Sequence, residues 1–152
     1  MSDKPQIWVQ VTDQPLGLEE LTRKVASDSA GAIATFSGVT RNSFKGKAVT
    51  KLEYEAYVPM AEKQLQEVCQ RAGSQWQVQG LAVAHRTGTV LVGEASVVIA
   101  ASSAHRKDAL EACAWVIDEL KATVPIWKRE YFADGSVWKE NAESRGLTPS
   151  SH

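Results

Sequence analysis

The sequence predicts an α+β fold in a single domain, with a mixed, largely antiparallel sheet. Three observations carry that prediction. Apolar residues recur at helical spacing in three separate stretches, around Leu18–Val25, Met60–Cys69 and Ala109–Leu120. Between them lie short β-prone or alternating stretches closed by glycine, proline and Asp-Gly pairs, so strands share the chain with helices throughout. The 152 residues show no internal repeat and no interior linker, as expected of one domain. Together these give about three helices and six to eight strands.

Ile7-Trp8-Val9-Gln10-Val11 reads as the first strand, and Pro15 and Gly17 break it. Leu18, Leu21 and Val25 then recur at helical spacing, with Gly31 expected to end that helix. Ala32 to Gly38 is short and β-prone, and the polar stretch Arg41 to Lys47 reads as an exposed loop. Val49 to Val58 alternates, with Leu52, Tyr54, Ala56 and Val58 on one face and Lys51, Glu53 and Glu55 on the other. Pro59 suits a helical first turn; Met60, Leu65, Val68 and Cys69 form its apolar stripe, and Gly73 is expected as its C-terminal cap.

Val78 to His85 and Val90 to Val92 read as strands joined through Thr87-Gly88, followed by a Gly93-Glu94 turn. Ala95 to Ala101 is a mostly apolar strand of the buried kind. Ser102 and Ser103 are expected to cap the most clearly amphipathic helix, marked by Ala109, Cys113, Val116, Ile117 and Leu120 and stopped by Pro125. Ile126 to Phe132 and Ser136 to Lys139 form a hairpin about Asp134-Gly135. The domain is expected over residues 1–145, with residues 146–152 as a frayed tail.

Composition limits the function. Lys and Arg number 17 against 18 Asp and Glu, so the net charge is −1 and a generic nucleic-acid coat is excluded. A local basic pocket remains open. No apolar run approaches the ~20 residues of a membrane span. Met1 to Pro5 lacks the apolar core of a secretory signal, so a cytoplasmic protein with no membrane partner is expected. Cys69 and Cys113 belong to no CxxC pair and are expected as reduced, buried hydrophobes. His85, His105 and His152 include no pair at metal-ligand spacing, so neither a metal nor a cofactor is expected.

Three constellations could carry chemistry. Ser102 to Lys107 passes from a buried strand into a helix N-terminus, where free N–H groups and the dipole attract an anion. Three basic side chains there oppose the dipole by ~0.3–1 kcal/mol at exposed sites, a conflict that a bound phosphate or carboxylate removes. The plainer reading is a solvated basic turn offset by Asp108. Lys121 and Lys128 flank Pro125; Lys121 also suits an ordinary helix C-terminus, and Lys128 shares a strand face with Ile126 and Glu130. Arg41-Asn42 follows Gly38, a place where backbone can approach a ligand, or it is an ordinary surface loop. His85 to Gly88 is a similar strand-end turn. Neither GxSxG, a P-loop, HExxH nor GxGxxG occurs.

Taken in order, Thr35-Phe36-Ser37-Gly38-Val39-Thr40-Arg41-Asn42, Leu52 to Tyr57, Ala84-His85-Arg86-Thr87-Gly88, Ser103-Ala104-His105-Arg106, and Leu120-Lys121 with Pro125-Ile126-Trp127-Lys128-Arg129-Glu130 resemble the large, catalytic subunit of molybdopterin synthase. The resemblance covers roughly residues 31–140. It implies an α/β hammerhead type of fold. It also implies transfer of sulfur to cyclic pyranopterin monophosphate, forming the dithiolene of molybdopterin. The sulfur arrives as a thiocarboxylate on the C-terminus of a small ubiquitin-like subunit. The implied assembly is a heterotetramer built on a homodimer of large subunits. By resemblance, Lys121 and Lys128 are the catalytic lysines, and Arg41, His105 and Arg106 bind the anionic substrate. Phe36 forms a pocket wall, and Glu130 either orients the lysines or makes a structural ion pair. A non-catalytic anion-binding module, or a scaffold that only docks the small partner, are the alternatives. Convergence of the five basic groups on one cavity separates them.

Overall fold

The structure, a computed structural model, describes residues 4–140. The expected domain end at residue 145 and the tail 146–152 lie outside the described residues. The elements in chain order are β1 (Gln6–Thr12), α1 (Leu18–Val25), β2 (Ala32–Val39), β3 (Ser43–Phe44), β4 (Lys47–Ala56) and α2 (Val58–Gln75). They continue with β5 (Val78–Arg86), β6 (Gly88–Leu91), β7 (Ala95–Ser103), α3 (Arg106–Thr123), β8 (Ile126–Phe132) and β9 (Val137–Glu140). This is the expected α+β class with three helices.

One sheet has the order β1-β5-β7-β2; β1 lies parallel to β5, and the other pairs are antiparallel. Helices cover both of its faces. Leu81, Val83, Val97, Ile99 and Ala101 point into a core with Leu65, Val68, Cys69, Cys113 and Val116 of α2 and α3. Their alternates Ala82, Ala84, Val98 and Ala100 point to Leu21 and Val25 of α1. Burial on both faces is why β5 and β7 read as continuous apolar runs without alternation.

The second sheet has the order β3-β4-β8-β9, with β6 also on β4. A bulge at Thr50 breaks the simple alternation expected of β4: Val49 faces Phe132 while Lys51 faces Tyr131. The extra residue lets Val49 and Leu52, three apart, both enter a small core with Val90 and Phe132.

Several expected boundaries move. Helix α1 ends at Val25, not near Gly31. Gly31 instead donates its N–H to the Ser103 carbonyl at 3.0 Å, and a Cβ there would stand 2.5 Å from the Ala104 carbonyl oxygen. Helix α2 runs through Gly73 to Gln75, with Trp76 as its C-cap. A Cβ at Gly73 would come within 2.8 Å of Pro5, so that glycine admits the N-terminal chain rather than ending the helix. Val58 heads α2 instead of ending β4, and Met60, expected in the α2 stripe, is exposed. The stretch 41–47 is not wholly loop: Ser43–Phe44 pairs with Lys47–Ala48 across Lys45 and Gly46, both at positive φ, as a tight hairpin requires.

Candidate functional site

The β2–β7 pair orients the site. Gly38 lies opposite Val97 at one end, and Ala32 lies opposite Ser103 at the other. The chain leaves β7 at the Ser103 end, and α3 runs back over β2 and β7. Its 18 residues cover ~27 Å at 1.5 Å per residue. Pro125 then turns the chain into β8 beside β4. Tyr54 of β4 meets His85 of β5 edge-on at 5.1 Å between ring centroids. His85 lies opposite Val97, and Tyr54 lies opposite Lys128. The Gly38 end of the first sheet therefore adjoins the Lys128 end of the second.

That geometry divides the expected residues. Phe36, Arg41, Lys121 and Lys128 gather at the Gly38 end, while His105 and Arg106 stand at the opposite end of α3. The expected convergence of five basic groups on one cavity does not occur within a single chain. The reason is the length of α3, which places residues 105 and 121 at opposite ends of one helix.

At the Gly38 end, the ring of Phe36 lies along its own strand. A Cβ on Gly38 would stand 3.3 Å from Phe36 Cε2 and 2.7 Å from Val97 Cγ1. Gly38 thus makes room for an aromatic ring, where the sequence suggested a ligand's approach. The loop that follows is pinned by main-chain bonds. Thr40 N–H donates to Glu94 at 3.0 Å, Gly93 N–H to Thr40 at 2.9 Å, and Val49 N–H to Asn42 at 2.9 Å. Arg41 is therefore an exposed guanidinium on a backbone held at both sides.

Lys128 lies on the face of β8 that also carries Glu130 and Phe132. Its neighbours in register are Tyr54 on β4 and Glu140 on β9. Its Nζ stands 3.4 Å from Glu140 Oε2. Glu130 is 7% exposed and lies between Leu52 and Trp138 in register. Burial raises its carboxyl above the ordinary range, the charges of Lys128 and Arg41 pull it back, and Glu140 adds to the rise. Lys128 and Arg41 thus act on one buried carboxylate. Lys121 is exposed in the last turn of α3, where a cation suits the dipole. A hollow of about 240 Å³ lies on the opposite face of the second sheet, lined chiefly by Glu53, Glu55, Trp127, Arg129 and Lys139, which alternate in register with Tyr54, Lys128 and Glu140.

At the opposite end the expected caps shift. Strand β7 continues through Ser103, and His105 is the N-cap of α3, without a capping bond from its own side chain. Ser103 does the capping from the strand: its hydroxyl donates to the His105 carbonyl and accepts the Ala109 N–H at 3.0 Å. This holds the strand-to-helix turn while His105, Arg106 and Lys107 remain exposed. A cavity of about 660 Å³ lies near the C-terminal ends of α1 and α2 and holds none of the expected residues.

Two neighbours of the site escaped the sequence reading, Tyr54 as a partner of Lys128 and Glu140 as its counter-ion. Both follow from strand register, which the local pattern does not encode. The cysteines are buried and free, with thiols pushed up to about 12 for Cys69 and about 11 for Cys113 by burial. Such thiols are poor nucleophiles. Among the described residues, no group of three or more His, Cys, Asp and Glu is placed to hold a metal, and no helix is long and apolar enough to cross a membrane.

Residues 11–123 match the family model described as MoaE protein. A protein of Arabidopsis thaliana named molybdopterin synthase catalytic subunit is 59% identical over 119 residues, covering 78% of this chain and 60% of that protein. The alignment thus spans less than two thirds of that relative's length. A protein of the same name from Dictyostelium discoideum is 42% identical over 156 aligned positions, covering 100% of this chain and 99% of the relative. The crystal structure of molybdopterin synthase from Staphylococcus aureus superposes with a TM-score of 0.81 at 33% identity, covering 92% of this chain and 98% of that one. A complex of subunits 1 and 2 of molybdopterin-converting factor from Helicobacter pylori shares the fold, with a TM-score of 0.67 at 23% identity over 91% of each chain.

Proposed function

This chain belongs to the MoaE protein family, and on that premise we propose that it is the catalytic subunit of a molybdopterin synthase, acting in molybdenum cofactor biosynthesis. It transfers sulfur from the C-terminal thiocarboxylate of a small ubiquitin-like subunit to cyclic pyranopterin monophosphate. The observation that carries the reading, beside the family, is the cationic end of the molecule. Arg41 and Lys128 act on the buried Glu130, and Lys121 projects at the same end of α3.

Both reactants are anionic, which suits this end. The Arg41 guanidinium takes the substrate phosphate, for which its planar fork is fitted. Phe36 offers an apolar wall to the pterin or to the incoming tail. The Lys121 ammonium stands by the thiocarboxylate carbon and stabilises the oxyanion that develops there. Lys128 positions substrate and moves the proton. No step requires a cysteine of this chain.

His105 and Arg106 bind the same substrate from a second copy. One helix length separates them from Arg41, so a pocket holding all five cations takes two chains. The protein then acts in the cytoplasm as a homodimer, with a small subunit at each end of a heterotetramer. The separation within one chain also favours the other reading, a non-catalytic module that binds an anion at the start of α3 or only docks the small partner.

Reconstitution separates the two. The purified chain, the thiocarboxylated small subunit and the cyclic precursor should yield dithiolene pterin, and Lys121→Ala should yield none while still binding the small subunit. Binding without product from the natural chain would establish the docking reading instead.

A further inference from the structure

We propose that Glu140 is a positioning residue for Lys128, holding its ammonium group over β9 on the sheet face that both share with Tyr54. The inference rests on the reading of Lys128 as a site residue. Its own support is geometric. Glu140 lies directly across from Lys128 in the β8–β9 register, and its carboxylate is 3.4 Å from the lysine Nζ. The two side chains are 13% and 27% exposed, so this is not a fully solvated pair.

The hairpin that delivers Glu140 is fastened at both ends. At the turn, Asp134 Oδ1 accepts the Ser136 N–H at 2.8 Å and its hydroxyl at 2.5 Å, and Gly135 supplies the positive φ. Along the strand, Trp138 packs against Phe44 at 6.3 Å and lies beneath Lys45 Nζ at 4.4 Å. Among the described residues, strand β9 pairs only with β8, and these side-chain contacts hold its other side. A four-residue edge strand is thereby held firmly enough to place one carboxylate.

Lys128 has two carboxylates on its face of the sheet. Glu130 lies two residues on along β8, buried, and Glu140 lies opposite on β9. A lysine has a long flexible stem and a point charge, so its position follows its counter-ion. Glu140 draws the ammonium across to the edge strand β9; Glu130 alone draws it along β8 toward buried surface. The role is therefore one of placement.

Two readouts on the full chain test this. In the chain alone, acetylation by an N-hydroxysuccinimide ester is followed at Lys128 and Lys121 by peptide mass spectrometry. Glu140→Gln should speed labelling at Lys128 several-fold and leave Lys121 unchanged. In the reconstituted synthase, Glu140→Gln should lower kcat roughly 10-fold with little change in KM for the precursor, the size of coupling typical of contacting residues. Glu140→Asp should restore part of kcat, and Glu140→Gln should add nothing in a Lys128→Gln background. Unchanged labelling, or unchanged kcat in a synthase that Lys128→Gln inactivates, overturns the role of Glu140. Full turnover by Lys128→Gln overturns instead the assignment of Lys128 on which the proposal rests.

Discussion

Leu52 on β4 lies directly opposite Glu130 on β8, so a carboxylate occupies the register of a core position. Both are nearly inaccessible, at 6% and 7%. Burial is the chief cause of the raised Glu130 carboxyl, and ionising it in the folded protein is therefore unfavourable. The folded chain binds this proton more tightly than the unfolded chain. Its stability consequently falls as pH rises from the unfolded glutamate value of ~4.3 through the raised folded value. Glu130→Gln should remove that fall. At neutral pH the variant should melt at or above the temperature of the natural protein, and the difference should vanish below about pH 4. Its turnover should drop, because Arg41 and Lys128 lose their shared anion. A variant that melts lower at neutral pH would mean that ion pairing outweighs burial at this position.

Lys121→Ala should leave the fold almost untouched, because the side chain is exposed in a last helical turn. A stability change within about 0.5 kcal/mol is expected for such a surface site. Turnover should fall by ~10²–10⁴, the usual worth of a positioned acid–base or charge-stabilising group. Thermal melting and single-turnover kinetics on one preparation check both halves.

Arg41→Ala and Arg106→Ala should each weaken precursor binding; loss of a charge-assisted bond costs roughly 1.5–3 kcal/mol. Their mixture tests the two-copy pocket. After dissociation and re-association, half of the dimers carry one chain of each kind. One of the two pockets in such a dimer has both arginines. Roughly a quarter of natural activity should therefore return. No return would place both arginines in pockets made by single chains, or outside the site.

Gly38→Ala should destabilise the fold and disturb the site together. The new methyl would stand 2.7 Å from Val97 Cγ1 and 3.3 Å from Phe36 Cε2. Overpacking of this kind costs ~1–3 kcal/mol. The Phe36 ring must move to admit it, so KM for the precursor should rise more than kcat falls. A melting curve and a substrate titration check the two effects. Equal stability would mean that β2, at the sheet edge, yields without strain.

Much of the fold is legible in the sequence. Apolar spacing marks α1, α2 and α3, and the apolar runs of β5 and β7 mark strands covered on both faces. The misread boundaries share a cause. Gly31 and Gly73 look like helix stops, but each is small because a distant segment approaches it: the Ala104 carbonyl in one case and Pro5 in the other. Ser103 looks like a helix cap but ends a strand and caps from there. In each case the residue type records a constraint, and only the tertiary neighbour says which.

The site divides along the same line. The sequence by itself determined the chemical kinds present: clustered cations in ordered motifs, cysteines without a reactive pattern, and no metal-ligand spacing. It also determined the family, through the order of those motifs. Only the tertiary structure decided which cations share an end of the molecule. The span of α3 carries His105 and Arg106 away from Lys121, and the β8–β9 register brings Glu140 to Lys128. The physical reason is that side-chain chemistry is local to a residue, whereas helix length and strand register set distance between residues far apart in the chain.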